Sequence, residues 1–318
     1  MMESQASSKE VFRKLHEGVS QILERVRYKY ETINFPVKYR ERSIDVVARS
    51  EEYGGLIIRL KTSTQVNRGE AQDLVKSSLA LDALPLVVSD VSEIYDNVVI
   101  EREGVYVVNL KTLQNMYFGR EELVTLYRKG ELFVKVNREG LVGRRTALGY
   151  TLTSLSRLLN ISRKTLELYE RRGGNVTIET AEKLAKRLGE DVIRPITLKD
   201  LHDDFVSKTV KETSREEVTT LKVDLRDLFN IEEGDIYLIR KSAPDYIIRD
   251  DETLITVDVT NQQRYGMREM LIKTHECVKF SNVAEAELKI VTDDSNKARA
   301  IADELSSLRR GNVEVIKV

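Results

Sequence analysis

The sequence predicts two α/β units, each a mixed sheet with helices, on either side of an all-α middle, and three observations carry that prediction. The chain has 318 residues, about twice the usual length of one domain, so two or three separately cored units are expected. Short β-rich runs occupy both ends: SIDVVARS and LIIRLKTS near the start, IYLIRKS, PDYIIRD and TLITVDVT near the finish. The stretch from Gly140 to Arg194 is instead rich in Leu, Ala and Arg and nearly free of clustered β-branched residues. The expected division is 1–135 for the first α/β unit, 136–196 for the helical unit, 197–222 for a connector and 223–318 for the second α/β unit.

Taken in order, Phe12, Leu15, Val19, Ile22 and Val26 recur at spacings of three and four and line one face of an amphipathic helix. The turn EEYGG joins SIDVVARS to LIIRLKTS as a hairpin, RGEAQDLVKSSLALDA is a helix, and LPLVVSD and VYVVNL are strands. After Pro195 a charge-mixed run without strong period reads as a connector or a surface helix. From Thr220 come three strands, a helix over QQRYGMREMLIKTHECVKF, the strand AELKIVTDD, a helix from Ser295 to Arg309, and the final strand VEVIKV. The two ends also share wording: SIDVVARSEEYGGLIIRLKT parallels APDYIIRDDETLITVDVT, and LPLVVSDVS parallels LKIVTDDS. An internal duplication around the helical middle would produce that correspondence.

Composition excludes several classes. Hydrophobic residues at 41% leave enough apolar material for real cores, so general disorder is excluded. Cys277 is the single cysteine, which rules out an internal disulfide framework, and the polar start MMESQASSKEVF has no run of signal or membrane-spanning length. A cytoplasmic protein without membrane partners is expected. Net charge is −1, so any nucleic-acid surface must be local. The segment Leu141 to Gly189 supplies one: ten Lys and Arg against four Glu make it about +6, leaving about −7 for the remainder.

Within that segment, TLTSLSRLLNISRKTLELYERRGG reads as two short helices with a tight turn at Asn160 and Ile161. Thr151 and Ser162 stand where their hydroxyls can cap the two helices. Leu155, Leu158 and Ile161 are expected to meet Leu166 and Tyr169 across the turn, with the small Ser156 where the helices cross. Spacing, caps and the later helix AEKLAKRLG together resemble the Cro/lambda-repressor (XRE) class of helix-turn-helix domains. That resemblance implies that Arg163, Lys164 and Thr165, at the start of the second motif helix, enter the major groove of double-stranded DNA, beside Ser162 and Glu167. It further implies that Arg157, Arg144 and Arg145 meet phosphates and that Arg171 and Arg172 also belong to the DNA-binding face. In that class a base-contacting Gln often stands near the start of the first motif helix, where this chain has Leu152.

The ends resemble, in part, the metal-dependent PD-(D/E)xK nucleases, of restriction-endonuclease-like fold, which place two acids and a lysine around a divalent ion. In the first unit Asp45 is the candidate first acid and Lys61 the lysine, with Glu70 and Asp73 on the following helix, but Arg59 stands where the second acid belongs and would repel a metal. In the second, Pro244 and Asp245 open the motif and Asp258 follows, but Thr260 replaces the lysine. Each copy is broken at a different place, so no metal, no cofactor and no nuclease activity are expected. His275 and Cys277, two apart on a helix, point about 200° from each other and cannot share a metal. As a whole the chain is similar to archaeal helix-turn-helix transcriptional regulators. A sequence-specific, nucleoid-associated DNA-binding regulator acting with the transcription machinery is expected, and it is expected to be a homodimer through the apolar strands LIIRLKT, LPLVVSD, TLITVDVT and LKIVTDD, with the stripe from Phe12 to Val26 as a second contact. The alternatives are a structure-selective nuclease similar to Holliday-junction resolvases and a DNA-bound scaffold protein.

Overall fold

A computed structural model describes residues 2–119, 123–209, 219–220, 223–231, 234–250, 253–260, 266–307 and 313–318, with side chains described from residue 9 onward except at 219–220 and 306–307. The first unit runs α1 (Met2–Arg25), β1 (Lys29–Thr32), β2 (Val46–Ser50), β3 (Gly54–Lys61), α2 (Arg68–Leu81), β4 (Ala83–Ser89), β5 (Val98–Arg102), β6 (Val105–Val108), α3 (Leu110–Phe118), β7 (Thr125–Arg128) and β8 (Glu131–Val136). Its strands order as β1-β2-β3-β4-β6-β5-β7-β8. β1, β2 and β3 are antiparallel neighbours, whereas β4 lies parallel to β3 because α2 carries the chain back across the sheet. The α1 stripe behaves as its period predicts: Leu15, Val19 and Ile22 are buried on one face of this sheet with Leu56, Ile58 and Leu86. The reading of the sequence passed over α3 and the strands β1, β5, β7 and β8, whose four to six residues are too few to show a clear period.

The middle contains α4 (Arg138–Ala147), α5 (Leu152–Leu159), α6 (Arg163–Arg172), β9 (Asn175–Thr177), α7 (Ile178–Leu188) and β10 (Ile193–Arg194). Both of its small strands pair with β8, and Val134 and Val136 of β8 enter its core beside Leu141, Leu155, Leu166 and Leu184. The large sheet therefore continues into the helical unit. Beyond it, α8 (Leu198–Thr209) covers the stretch read as a connector, and its Leu198, Leu201 and Phe205 are buried against the first sheet. Residues 210–218 and 221–222 of that stretch lie outside the described residues.

The second unit has β11 (Thr219–Thr220), β12 (Val223–Asp224), α9 (Leu225–Phe229), β13 (Asp235–Leu238), β14 (Tyr246–Arg249), β15 (Leu254–Thr260), α10 (Met267–Ala284), β16 (Glu287–Thr292), α11 (Ser295–Ser307) and β17 (Val313–Lys317). Its five-stranded sheet runs β13 to β17 in order, antiparallel through β15 and parallel from there on. This repeats the β1-β2-β3-α2-β4 arrangement. The repeat extends to individual bonds: the Asp45 amide donates to Ile58 O (2.8 Å) and Asp245 to Val257 O (3.1 Å), while Ile33 N donates to Asp45 O (2.8 Å) and Ile239 N to Asp245 O (2.7 Å).

The two units pack on each other reciprocally. Asp73 of α2 accepts from the amides of Arg240 and Lys241 at 3.1 and 3.0 Å, and Glu276 of α10 accepts from the amide of Asn34 at 2.7 Å. Lys76 donates to Leu238 O and Lys279 to Thr32 O, each at 3.4 Å. Arg249, at the end of β14, donates to Leu79 O and Ala80 O in the last turn of α2, and Arg49, at the end of β2, donates to Ala284 O in the last turn of α10. Such exchange, in which each half gives the contact it receives, is the pattern of an isologous interface. Its apolar centre is shared: Ile33, Ile44, Val47 and Ile57 form one buried cluster with Tyr237, Ile239, Ile247, Phe280 and Val283.

Candidate nucleic-acid interface

The two motif helices are capped where the sequence placed caps. Thr151 Oγ1 accepts from the Ser154 amide at 3.0 Å and Ser162 Oγ from the Thr165 amide at 2.9 Å, satisfying donors that lack a partner in a first helical turn. Asn160 ends α5 in the left-handed region, φ 54°, which turns the chain sharply before Ser162. Leu155, Leu159 and Leu166 are buried together, and Ser156 is buried, its hydroxyl donating to Thr153 O at 3.1 Å. Leu158 departs from expectation: it is 40% exposed, because α5 turns Leu155 and Leu159, four apart, inward and leaves Leu158 outside.

α6 packs on α4 and α5 and turns its opposite face to solvent. Arg163, Lys164, Glu167, Arg171 and Arg172 of α6 and Arg157 of α5 are exposed, and their side chains form no hydrogen bond or ion pair among the described residues. Thr165 is half-buried, its hydroxyl 2.7 Å from Ser162 Oγ. Two expected phosphate contacts are engaged within the fold. Arg145 is clamped on both carboxylate oxygens of Glu170 and donates to Tyr150 O at 2.9 Å, which ties α4 to α6. Arg144 Nε meets both oxygens of Asp191 at 3.0 and 2.9 Å, on the surface.

The acids of the flanking units lie inside the protein. Asp45 is fully buried; its Oδ2 accepts from Leu60 N at 2.8 Å and from Arg59 Nη1 at 2.5 Å, and Arg59 Nε reaches Glu70 Oε1 at 2.8 Å. Lys61 Nζ lies 2.5 Å from Glu70 Oε2. In the second unit Asp245 Oδ2 accepts from Val259 N at 2.7 Å, matching Asp45 and Leu60, and Lys273 Nζ bonds to Asp245 and lies 2.8 Å from Asp258 Oδ1. Burial would drive the proton from Lys273, but the two carboxylates overcome it and hold the ammonium charged. Burial pushes Asp45 upward against the pull of Arg59. The polarity is exchanged between the copies: the cation stands on the strand and the acid on the helix in the first, the reverse in the second. A side-chain cation already fills the space between carboxylates in each, so these donor sets do not fit a divalent ion. Thr260 is buried and donates to Val291 O at 3.3 Å. Sequence reasoning missed Lys273, whose signal was a lone lysine on the buried stripe of α10.

Residues 12–123 match the model of the PD-(D/E)XK superfamily domain, and residues 144–193 match that of a helix-turn-helix. Over 300 residues the chain is 27% identical to a Saccharolobus islandicus protein named "Putative HTH-type transcriptional regulatory protein", covering 92% of this chain and 91% of that one. A Sulfolobus acidocaldarius protein of the same name is 34% identical over 198 residues, covering 61% and 62%. No solved structure matches the chain. No helix among the described residues is long and apolar enough to cross a membrane. The chain thus carries a PD-(D/E)XK superfamily domain at residues 12–123 and, behind it, a helix-turn-helix domain at residues 144–193.

Proposed function

We propose that this protein is a sequence-specific regulator of transcription that reads double-stranded DNA through α6, on the nucleoid, and that its flanking units do not cut DNA. The observation that carries the reading is the exposed face of α6, where Arg163 and Lys164 stand at the start of a capped helix with no internal partner among the described residues. Arginine there can donate two bonds to one guanine, while Arg157, Arg171 and Arg172 supply sequence-independent attraction to phosphates. The regulatory role is supported by the names of the relatives, and it would follow from recruiting or blocking the transcription machinery at the bound site. Against cleavage speak Arg59 and Lys273, each standing between carboxylates that a metal would need. The apolar strands through which the homodimer was expected are buried within one chain, and we propose a monomer that carries one helix-turn-helix.

Selection of bound duplexes from a random pool with the full-length protein tests this. One enriched sequence is expected. On it Arg163→Ala should lose about 1–3 kcal/mol and relax choice at one base, while Arg157→Ala weakens all duplexes alike. Equal binding of every duplex by the wild-type protein would overturn the reading.

A further inference from the structure

The exposed positions of α6 are Arg163, Lys164, Glu167, Leu168, Arg171 and Arg172, and one of them is apolar. Leu168 is 48% exposed, and the core of the helical unit closes on Leu155, Leu159 and Leu166 without it. It lies four residues after Lys164 and three and four before Arg171 and Arg172, so cations border it along the helix on both sides. Such surroundings suit a polyanion whose groove holds an apolar group.

We propose that Leu168 is a specificity-determining residue whose side chain packs on the 5-methyl group of a thymine in the major groove. The inference rests on the reading of α6 as the helix that enters DNA. Thymine is the base that presents a methyl group there, and an apolar side chain distinguishes it by burying that group. Leu168 follows Arg163 by five residues, about 7.5 Å along the helix, which spans about two base-pair steps of duplex. The cations around it bring the face onto the phosphates, and Leu168 adds a preference that charge alone lacks.

The test uses the full-length protein on its selected duplex, with each thymine replaced in turn by deoxyuridine, which removes the methyl and leaves base pairing unchanged. At one thymine the wild-type protein should bind about fourfold more weakly, the effect of one buried methyl group. Leu168→Ala should be weakened on the thymine duplex by at least that factor and respond no further to deoxyuridine at that position. Leu158→Ala, the control at the exposed leucine of α5, should keep the full response, and Leu168→Gln should move the preference at that position toward adenine. Insensitivity of the wild-type protein to every deoxyuridine, or an undiminished response in Leu168→Ala, would overturn the inference while leaving the selected sequence, and hence the reading of α6, intact. Failure to select any sequence would overturn both.

Discussion

Lys273 is 2% exposed and lies between Asp245 and Asp258, so its removal would leave two carboxylates in the interior without their counter-ion. Lys273→Met should lower unfolding stability by about 3–5 kcal/mol, the cost of breaking a buried ion pair from one side. Urea unfolding at neutral pH measures it, and a loss under 1 kcal/mol would show that the triad is not ionised. Asp200 supplies a residue-scale test with a pH signature. Burial pushes its carboxyl up, but bonds from Arg194 (2.6 and 2.8 Å) and from the amide and hydroxyl of Thr197 (3.0 and 2.8 Å) prevail and hold it at about 2. Because the folded value lies below the ordinary 3.8, the stability it contributes is present above that value and is lost as pH falls toward 2. With Arg194 partly exposed, the contribution is about 1–2 kcal/mol. Asp200→Asn should therefore be less stable than wild type at pH 6, with the gap closing between pH 4 and 2.

At the scale of elements, α2 and α10 each serve two sheets. α2 crosses its own sheet between β3 and β4, and its Asp73 reaches out to Ser43 Oγ at 2.7 Å and to the amides of Arg240 and Lys241. Asp73→Ala would strand both amides at the contact between units and should cost about 2–4 kcal/mol, read as a lower denaturant midpoint. A near-neutral result would mean that the contact rests on the apolar cluster alone. β8 likewise serves two units, since Val134 and Val136 belong to the helical core. A fragment cut at residue 136 would lose Val134 from that core.

For the whole molecule, the reciprocal packing of the two α/β units satisfies within one chain a contact that two-fold dimers make between chains. The full-length protein should therefore scatter light as a monomer of 36.5 kDa at micromolar concentration, and a dimer mass would mean that a further surface mediates association. Incubated with Mg²⁺ or Mn²⁺ and linear, nicked or four-way-junction DNA, it should leave the substrate intact. Metal-dependent cutting abolished by Asp45→Ala or Asp258→Ala would return it to the nucleases.

The sequence by itself determined the local structure: the α1 stripe, the caps Thr151 and Ser162, the strands around Asp45 and Asp245, and the basic helical middle. These follow from period, turn chemistry and charge, which act over a few residues. The internal duplication was legible as shared wording, but its reciprocity was not, because the bonds of Asp73 to Arg240 and of Glu276 to Asn34 join residues far apart in the chain. Tertiary structure alone decided that Arg145 turns inward to Glu170, that Leu158 faces water, and that Lys273 rather than a metal sits between Asp245 and Asp258. A charged side chain's role depends on which partner the fold brings within reach and on how little water remains there, and neither is carried by its neighbours in sequence.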